Sequence, residues 1–275
     1  MYRYIDTLFV VPIALAILNA VEKGELNLGD YDLSAWKYME IGAQPVPFDT
    51  LKLLIKHLPC KVSNLYGITE GGGGLFNLYS EDVLEKPGSI GKPTFGVEAK
   101  IVAPLSDKDL PANEVGELVF KTPRMMAEYY SNPEKTQEAL RDGWLYTGDL
   151  LRKDADGYFY IVDRMKDLVI SGGENIYPVE IEDALMDHPD IDDVACIGFP
   201  DERLVEIVLA IVQVKEGRQI SETDVIEFAK SKLALYKVPR KIVFDTVPRN
   251  PTGKLMKPLL REKFTGRKEA FKQLG

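Results

Sequence analysis

Four short stretches gather side chains capable of chemistry. NLYGITEGGGG, Asn64 to Gly74, puts an aromatic ring (Tyr66), a hydroxyl (Thr69) and a carboxylate (Glu70) ahead of a glycine run. Glycines let backbone N–H groups approach an anion closely, and a carboxylate oxygen is a ligand for Mg2+. That set suits a nucleotide: Tyr66 to stack on a base, Thr69 to donate to a phosphate, Glu70 to hold the metal. The residues equally describe an ordinary glycine-rich turn, because the run matches neither GxGxxG nor GxxxxGK[ST]. WLYTGDL, Trp144 to Leu150, places Asp149 after a Thr147–Gly148 turn, where a carboxylate can face the two hydroxyls of a ribose. Most aspartates so placed stabilise their own turn.

The third stretch, DRMKDLVISGGENIYPVEIE from Asp163 to Glu182, sets Arg164 and Lys166 before a strand and Gly172 and Gly173 after it, with Pro178 at a helix start. A solvated turn and a strand-to-helix connection account for it without any ligand. The fourth, VPRNPTGKLMK from Val247 to Lys257, makes a tight Thr252–Gly253 turn that presents Lys254 on a mobile loop. An ammonium there can neutralise charge developing on a carboxylate and a phosphate, although most surface lysines do nothing of the kind.

The elements that must position these groups follow two rhythms. Helical spacing over Pro12 to Lys23 and Asp49 to His57, with apolar runs at Trp36 to Ile41 and into Asn64, reads as α/β. From Gly88 the chain turns to short strands, Val97 to Val102, Gly116 to Lys121 and Tyr158 to Val162, separated by turn residues. After Asp167 come a strand at Leu168 to Ser171, a helix at Pro178 to Met186, strands at Val194 to Phe199 and Ile207 to Val214, a helix at Glu222 to Leu233, a strand at Lys241 to Phe244 and a helix near Met256 to Phe264, an α+β module. The expected fold class is therefore α/β and α+β. Residues 1–163 form one domain (an α/β portion to about 85 and a small β-barrel-like subdomain at about 86–163), and residues 164–275 a hinge and compact second domain. The charged DRMKD cluster is expected to be a solvated connection between them.

Composition narrows the function classes. The 275 residues are 45% hydrophobic and 28% charged, enough for a packed core and unlike a disordered or collagenous chain. With 34 Lys and Arg against 43 Asp and Glu, and no long basic block, nucleic-acid binding has no support. Cys60 and Cys196 belong to no CxxC or Cys/His cluster, so neither a disulfide framework nor a zinc site is expected, which fits a reducing cytoplasm. The apolar stretch Phe9 to Leu18 is too short to span a bilayer and lacks signal-peptide features, so it reads as a buried helix.

In order and spacing the four stretches together resemble the adenylate-forming superfamily of acyl-CoA synthetases, firefly luciferase and peptide-synthetase adenylation domains, from near the N-terminus to about Phe264. The resemblance implies that Asn64, Tyr66, Gly67, Thr69 and Glu70 form an adenine, phosphate and Mg2+ site, joined by Gly42, Ala43 and Gln44 of IGAQP. It implies that Asp149 holds the ribose with Arg164 assisting, that Lys166 is a hinge, that Lys254 is the catalytic lysine of adenylation together with Thr69 and Glu70, and that Gly172 and Gly173 line the path of coenzyme A. SGGENIYPVEIE resembles the acyl-CoA ligase version, and PGSIGKPTFGVEAKIV the fatty-acid and aryl-acid branch. The implied activity is ATP-dependent conversion of a carboxylic acid, a fatty acid first among them, through an acyl-adenylate and AMP release to an acyl-CoA.

The departures are specific. No stretch matches the Ser/Thr/Gly-rich phosphate loop TSGTTGxPKG of complete members, so the expectation is a C-terminal half, poorly active alone, whose partners are its small-molecule substrates and the other half of the synthetase. A non-catalytic remnant with weak nucleotide binding, or an adenylation domain loading a carrier protein, are the alternatives. MAEYY at Met126 to Tyr130 replaces a usual glycine-tyrosine pair, and RLVE at Arg203 to Glu206 a usual GE.

Overall fold

The computed structural model describes residues 4–42, 46–104, 108–250 and 253–266. These form two compact units, Met1–Ile161 and Val162–Gly275.

The first unit opens with β1 (Ile5–Val10), α1 (Val11–Glu22), β2 (Trp36–Gly42), α2 (Phe48–His57) and β3 (Lys61–Ile68), in which β1, β2 and β3 pair in parallel. The buried helix expected from Phe9 begins two residues later. Phe9 and Val10 complete β1, and Pro12, whose ring fixes a helical φ and whose missing N–H costs nothing in a first turn, marks where α1 starts. Val11, Ala14 and Leu18 line one stripe of α1 and pack with Leu51 and Leu54 of α2 over Met39, Ile41 and Val62.

The chain continues through β4 (Gly73–Leu78), β5 (Ser89–Pro93), β6 (Glu98–Val102), β7 (Val115–Lys121), α3 (Pro133–Ala139), β8 (Leu140–Arg141), β9 (Trp144–Lys153) and β10 (Phe159–Arg164). The sheet runs in the order β1-β2-β3-β4-β5-β10-β9-β7-β6, with β8 against β9. Leu75, Phe76, Leu118, Phe120, Leu145, Leu151 and Phe159 form the core of its antiparallel part. Two sequence expectations change here. Asn64, Tyr66 and Gly67, placed at the end of a strand, lie within β3, which runs on to Ile68 and turns back through Thr69–Gly71 into β4. The Thr147–Gly148 turn expected before Asp149 lies inside β9; between Tyr146, opposite Val119, and Leu150, opposite Glu117, three residues of β9 face one of β7. Thr147–Asp149 therefore form a bulge, with Gly148 at φ +68.

The second unit contains β11 (Val169–Ser171), β12 (Glu174–Ile176), α4 (Pro178–Met186), β13 (Ile191–Asp201), β14 (Val205–Val214), α5 (Glu222–Lys232), β15 (Lys241–Phe244) and α6 (Lys257–Thr265). Its sheet is β12-β11-β14-β13, with β15 also on β14. Side chains alternate across a strand, and both faces are covered. Val194, Cys196, Val208, Ala210 and Val212 pack with residues of α4 and α5, while Ala195, Ile197, Leu209 and Ile211 pack with Val247 and with Leu260 of α6. Gly172 and Gly173, expected in a strand-to-helix connection, are the two central residues of the β11–β12 hairpin, at φ +59 and +90, the left-handed pair that a two-residue turn of this kind requires. α5 carries a full capping box from Ser221 and Asp224.

Candidate functional site

In the first unit the fold joins two of the four stretches through one hydrogen bond. Tyr66 Oη donates to Asp149 Oδ2 at 2.6 Å across a sequence separation of 83 residues. The bulge that carries Asp149 is pinned twice: Thr147 Oγ1 donates to Leu118 O at 2.8 Å, and Gly148 N donates to Glu117 Oε1 at 2.9 Å. Asp149 is only 6% exposed, so its carboxylate does far more than close its own turn. The Tyr66 ring meets Phe76 edge-on at 5.7 Å, which fixes the plane of the aromatic face.

Gly67 permits this approach of β3 to β4. A Cβ at that position would stand 2.1 Å from Gly73 O. Asn64 is buried and uses its amide on Ser89 O at 3.2 Å, fastening β3 to β5. Gly42 ends β2 opposite Leu65, whereas Ala43, Gln44 and Thr252 lie outside the described residues. Thr69 and Glu70 form the short turn between β3 and β4. Glu70 O accepts from Met126 N at 2.8 Å, and its Oε1 accepts from Tyr129 Oη at 2.8 Å. Burial and the Glu70 bond push the Tyr129 phenol up to about 12, so it remains a donor across the working pH range.

Glu117 and Tyr129 escaped the sequence reading. Glu117 sits inside an apolar strand run, and Tyr129 follows an unusual glutamate, so neither spacing announced a site. Both line an open groove of about 590 Å3 beside Thr147 and Gly148, with Tyr130, Lys135, Arg141 and Tyr146. No group of three or more acidic, His or Cys side chains among the described residues is placed to cage a metal. A single available carboxylate is the arrangement expected for Mg2+, which is held by one or two carboxylates plus substrate phosphates. Glu70 fits that description.

The remaining candidates belong to the second unit. Arg164 ends β10, and Lys166 is the middle residue of a one-turn helix, Met165–Asp167. The DRMKD cluster is solvated only in part: Lys166 is exposed, but Asp163 is 2% exposed and Asp167 9%. Asp163 Oδ1 accepts from Arg164 N at 2.7 Å and its Oδ2 from Val179 N at 3.0 Å, capping α4, whose own N-cap residue Tyr177 makes no side-chain cap. Asp167 pairs with Arg261, and Lys257 with Glu182 at 2.8 Å. Their partners come from α4 and α6, too distant in sequence for composition to have announced the burial.

Burial pushes the Asp163 carboxyl up to about 6, against the opposing pull of Lys257 and the two backbone donors. Burial also raises Glu182, while the surrounding carboxylates hold Lys257 above its ordinary value. Three acids and two bases leave one excess negative charge, which protonation of Asp163 relieves. Between the unfolded value near 4 and about 6, the folded state binds the extra proton, so stability falls as pH rises through that window and is flat above it. Lys257 titrates far above this range and does not contribute to the slope. The expected loss is about 1–3 kcal/mol between pH 4 and 7. Urea titrations read at the Ile197 and Ile211 amides will show it, and Asp163→Asn will reduce it, leaving the smaller share of the raised Glu182 and Asp183 carboxyls; an equal slope in that variant assigns it elsewhere.

Lys254 is exposed, and the residues on either side of it are hydrogen-bonded. Arg249 bridges to Leu255, Asn250 N donates to Lys254 O at 2.9 Å, and Lys254 N donates to Asn250 Oδ1 at 2.9 Å. Arg249 adds a two-point contact to Asp193 at 2.6 and 2.8 Å, anchoring the turn to β13.

Comparison with known proteins fits this geometry. The family described as AMP-binding enzyme matches residues 4–130, and the AMP-binding enzyme C-terminal domain matches residues 180–254. A long-chain-fatty-acid–CoA ligase of Mycobacterium tuberculosis is 39% identical over 252 residues, 91% of this chain and 49% of the relative. A feruloyl-CoA synthase of Amycolatopsis is 39% identical over 234 residues (85% and 47%), and a fatty acid–[acyl-carrier-protein] ligase of Streptomyces coeruleorubidus 37% over 268 (95% and 50%). ATP-bound MatB of Rhodopseudomonas palustris superposes with a TM-score of 0.83 at 32% identity, covering 97% of this chain and 52% of that one. The o-succinylbenzoate CoA synthetase of Bacillus subtilis with ATP and magnesium gives 0.78 at 31% (94% and 51%). The chain thus spans about half the length of the curated relatives it matches. It belongs to the AMP-binding, adenylate-forming enzyme family, in the acyl-CoA synthetase branch.

Proposed function

We propose that this chain is the carboxyl-terminal half of an acid–thiol ligase that activates a carboxylic acid with ATP and transfers the acyl group to coenzyme A, with fatty acids the first class to try. The observation that carries the reading is the Tyr66–Asp149 pair, which unites two nucleotide-type motifs at one place in the fold. Asp149, with both its bulge and its phenol partner fixed, accepts the ribose hydroxyls; the open face of Tyr66 takes the base; Thr69 donates to phosphate. Arg164, Gly42, Ala43, Gln44, Asn64 and Gly67 complete the nucleotide site by binding or by shaping the backbone. Mg2+, held by Glu70 when bound with the nucleotide, supplies positive charge to the phosphates.

In the first step a carboxylate oxygen of the acid bonds to the α-phosphorus, the bond to the β-phosphate oxygen breaks, and pyrophosphate leaves. Lys254 meets the charge on the pentavalent phosphorus. In the second, the coenzyme A sulfur bonds to the acyl carbon and AMP departs with the electron pair, the hairpin turn of Gly172 and Gly173 lining the thiol's approach after movement at Lys166. The amino-terminal half of such an enzyme is the partner this reading requires, because the 275 residues contain no serine- and glycine-rich phosphate loop.

The test is acid-dependent formation of AMP and acyl-CoA with Mg·ATP, coenzyme A and short, medium, long and aromatic acids. The chain alone is expected to turn over slowly or not at all. A fusion behind the amino-terminal half of the M. tuberculosis relative is expected to release AMP with at least one acid. Robust turnover by the chain alone overturns the half-enzyme reading, and a fusion that binds AMP but releases none with any acid overturns the ligase reading. The Streptomyces relative supports a second acceptor, a pantetheinylated carrier protein, which product analysis with carrier in place of coenzyme A distinguishes.

A further inference from the structure

The carboxylate of Glu70 is gripped by MAEYY, the segment that stands where a glycine-tyrosine pair is usual. Tyr129 Oη donates to its Oε1 at 2.8 Å, and Met126 N donates to its backbone oxygen at 2.8 Å. Tyr129 is in turn held from behind. Its N–H donates to Thr136 Oγ1 at 3.0 Å, the Thr136 hydroxyl donates to Asn132 O at 2.9 Å, and Asn132 Oδ1 caps α3 by accepting from Lys135 N at 3.1 Å. A phenol anchored to a capped helix thus fixes one oxygen of the carboxylate. The other, Oε2, has no hydrogen bond among the described residues.

We propose that Tyr129 is a positioning residue for a divalent cation bound with a nucleotide: by engaging Oε1 it locks the Glu70 rotamer and leaves Oε2 as the single oxygen presented to the metal. The inference rests on the reading of Glu70 as the Mg2+ carboxylate. Partners that orient a metal ligand in this way change metal affinity by roughly 10–100-fold when removed. In this role the phenol acts through Glu70 rather than on the nucleotide, so its loss acts on the metal-dependent part of binding.

The test is the ratio of ATP affinities at saturating Mg2+ and in EDTA, measured by calorimetry on the full chain. Tyr129→Phe keeps the ring and is expected to lower that ratio about 10-fold while leaving metal-free ATP binding unchanged. Glu70→Gln is expected to lower it at least as far, and the double variant no further than Glu70→Gln, because the two groups act as one. An unchanged ratio in Tyr129→Phe overturns the proposal, as does equal weakening with and without metal, or an additive double variant. A wild-type chain whose ATP binding ignores Mg2+ overturns instead the reading of Glu70 on which the proposal stands; where the chain alone binds no ATP, the same ratio is read on the fusion behind the amino-terminal half of the M. tuberculosis relative, with the same outcomes. Should Tyr129→Phe fail to fold, Mn2+ resonance spectra of the Glu70→Gln and Thr136→Val chains carry the test; free-ion-like spectra only in Glu70→Gln overturn the role of the anchored phenol.

Discussion

Gly67→Ala is expected to cost the first unit about 3 kcal/mol or more and to remove nucleotide binding with it. A Cβ there would lie 2.1 Å from Gly73 O, 2.7 Å from Gly73 C and 3.1 Å from Gly74 Cα. All three are backbone atoms of β4, so no side-chain rotation relieves the clash. The strands must part, and the parting falls between Tyr66, which holds Asp149, and Thr69 and Glu70 in the turn. Trp36 and Trp144 both lie in this unit and report its urea unfolding by fluorescence. Gly157→Ala is the control in the same unit: it has a positive φ but nothing within 4 Å, so its cost is limited to the backbone, about 1 kcal/mol. A Gly67→Ala midpoint no lower than that of Gly157→Ala would mean the hairpin is looser than the structure has it.

Lys254→Ala in the fused enzyme is expected to slow adenylate formation by about 10²–10³-fold, the size of losing one preorganised charge partner of a transition state. Thioester formation from supplied acyl-adenylate is expected to stay within a few-fold. The turn should survive the change, since it is closed by backbone bonds and by Arg249 and Asn250. The split between the two steps is the informative quantity. Equal loss in both would mean that alanine disturbs the second unit as a whole, and no loss in the first would remove Lys254 from the chemistry.

Most of the elements were legible from local pattern. α4 runs from Pro178 to Met186 and β15 from Lys241 to Phe244 as the sequence reading had them, because a proline start and an apolar period of 3.6, or a short β-branched run, are properties of neighbouring residues. Tyr66, Thr69, Glu70, Asp149 and Lys254 were named from type and spacing, while each stretch alone also fitted an ordinary turn and their roles came from the family resemblance of the four together. Local pattern failed where a partner far along the chain set the backbone. Thr147–Gly148 reads as a free turn because Thr-Gly-Asp is turn chemistry; pairing with β7 makes the stretch a strand with a bulge, and the bulge carries Asp149. DRMKD reads as solvated because charged runs usually are, yet Arg261, 94 residues on, reaches Asp167, and Lys257 supplies the opposing charge near Asp163.

The sequence by itself thus determined which chemical groups are available and most of the helices and strands that carry them, since those depend on side-chain type and short-range periodicity. The tertiary structure alone decided which groups meet: Tyr66 with Asp149, Glu70 with Tyr129, Asp163 with the N-terminus of α4. Such meetings are fixed by strand register and by burial, and both depend on contacts across the fold that no local stretch of residues encodes.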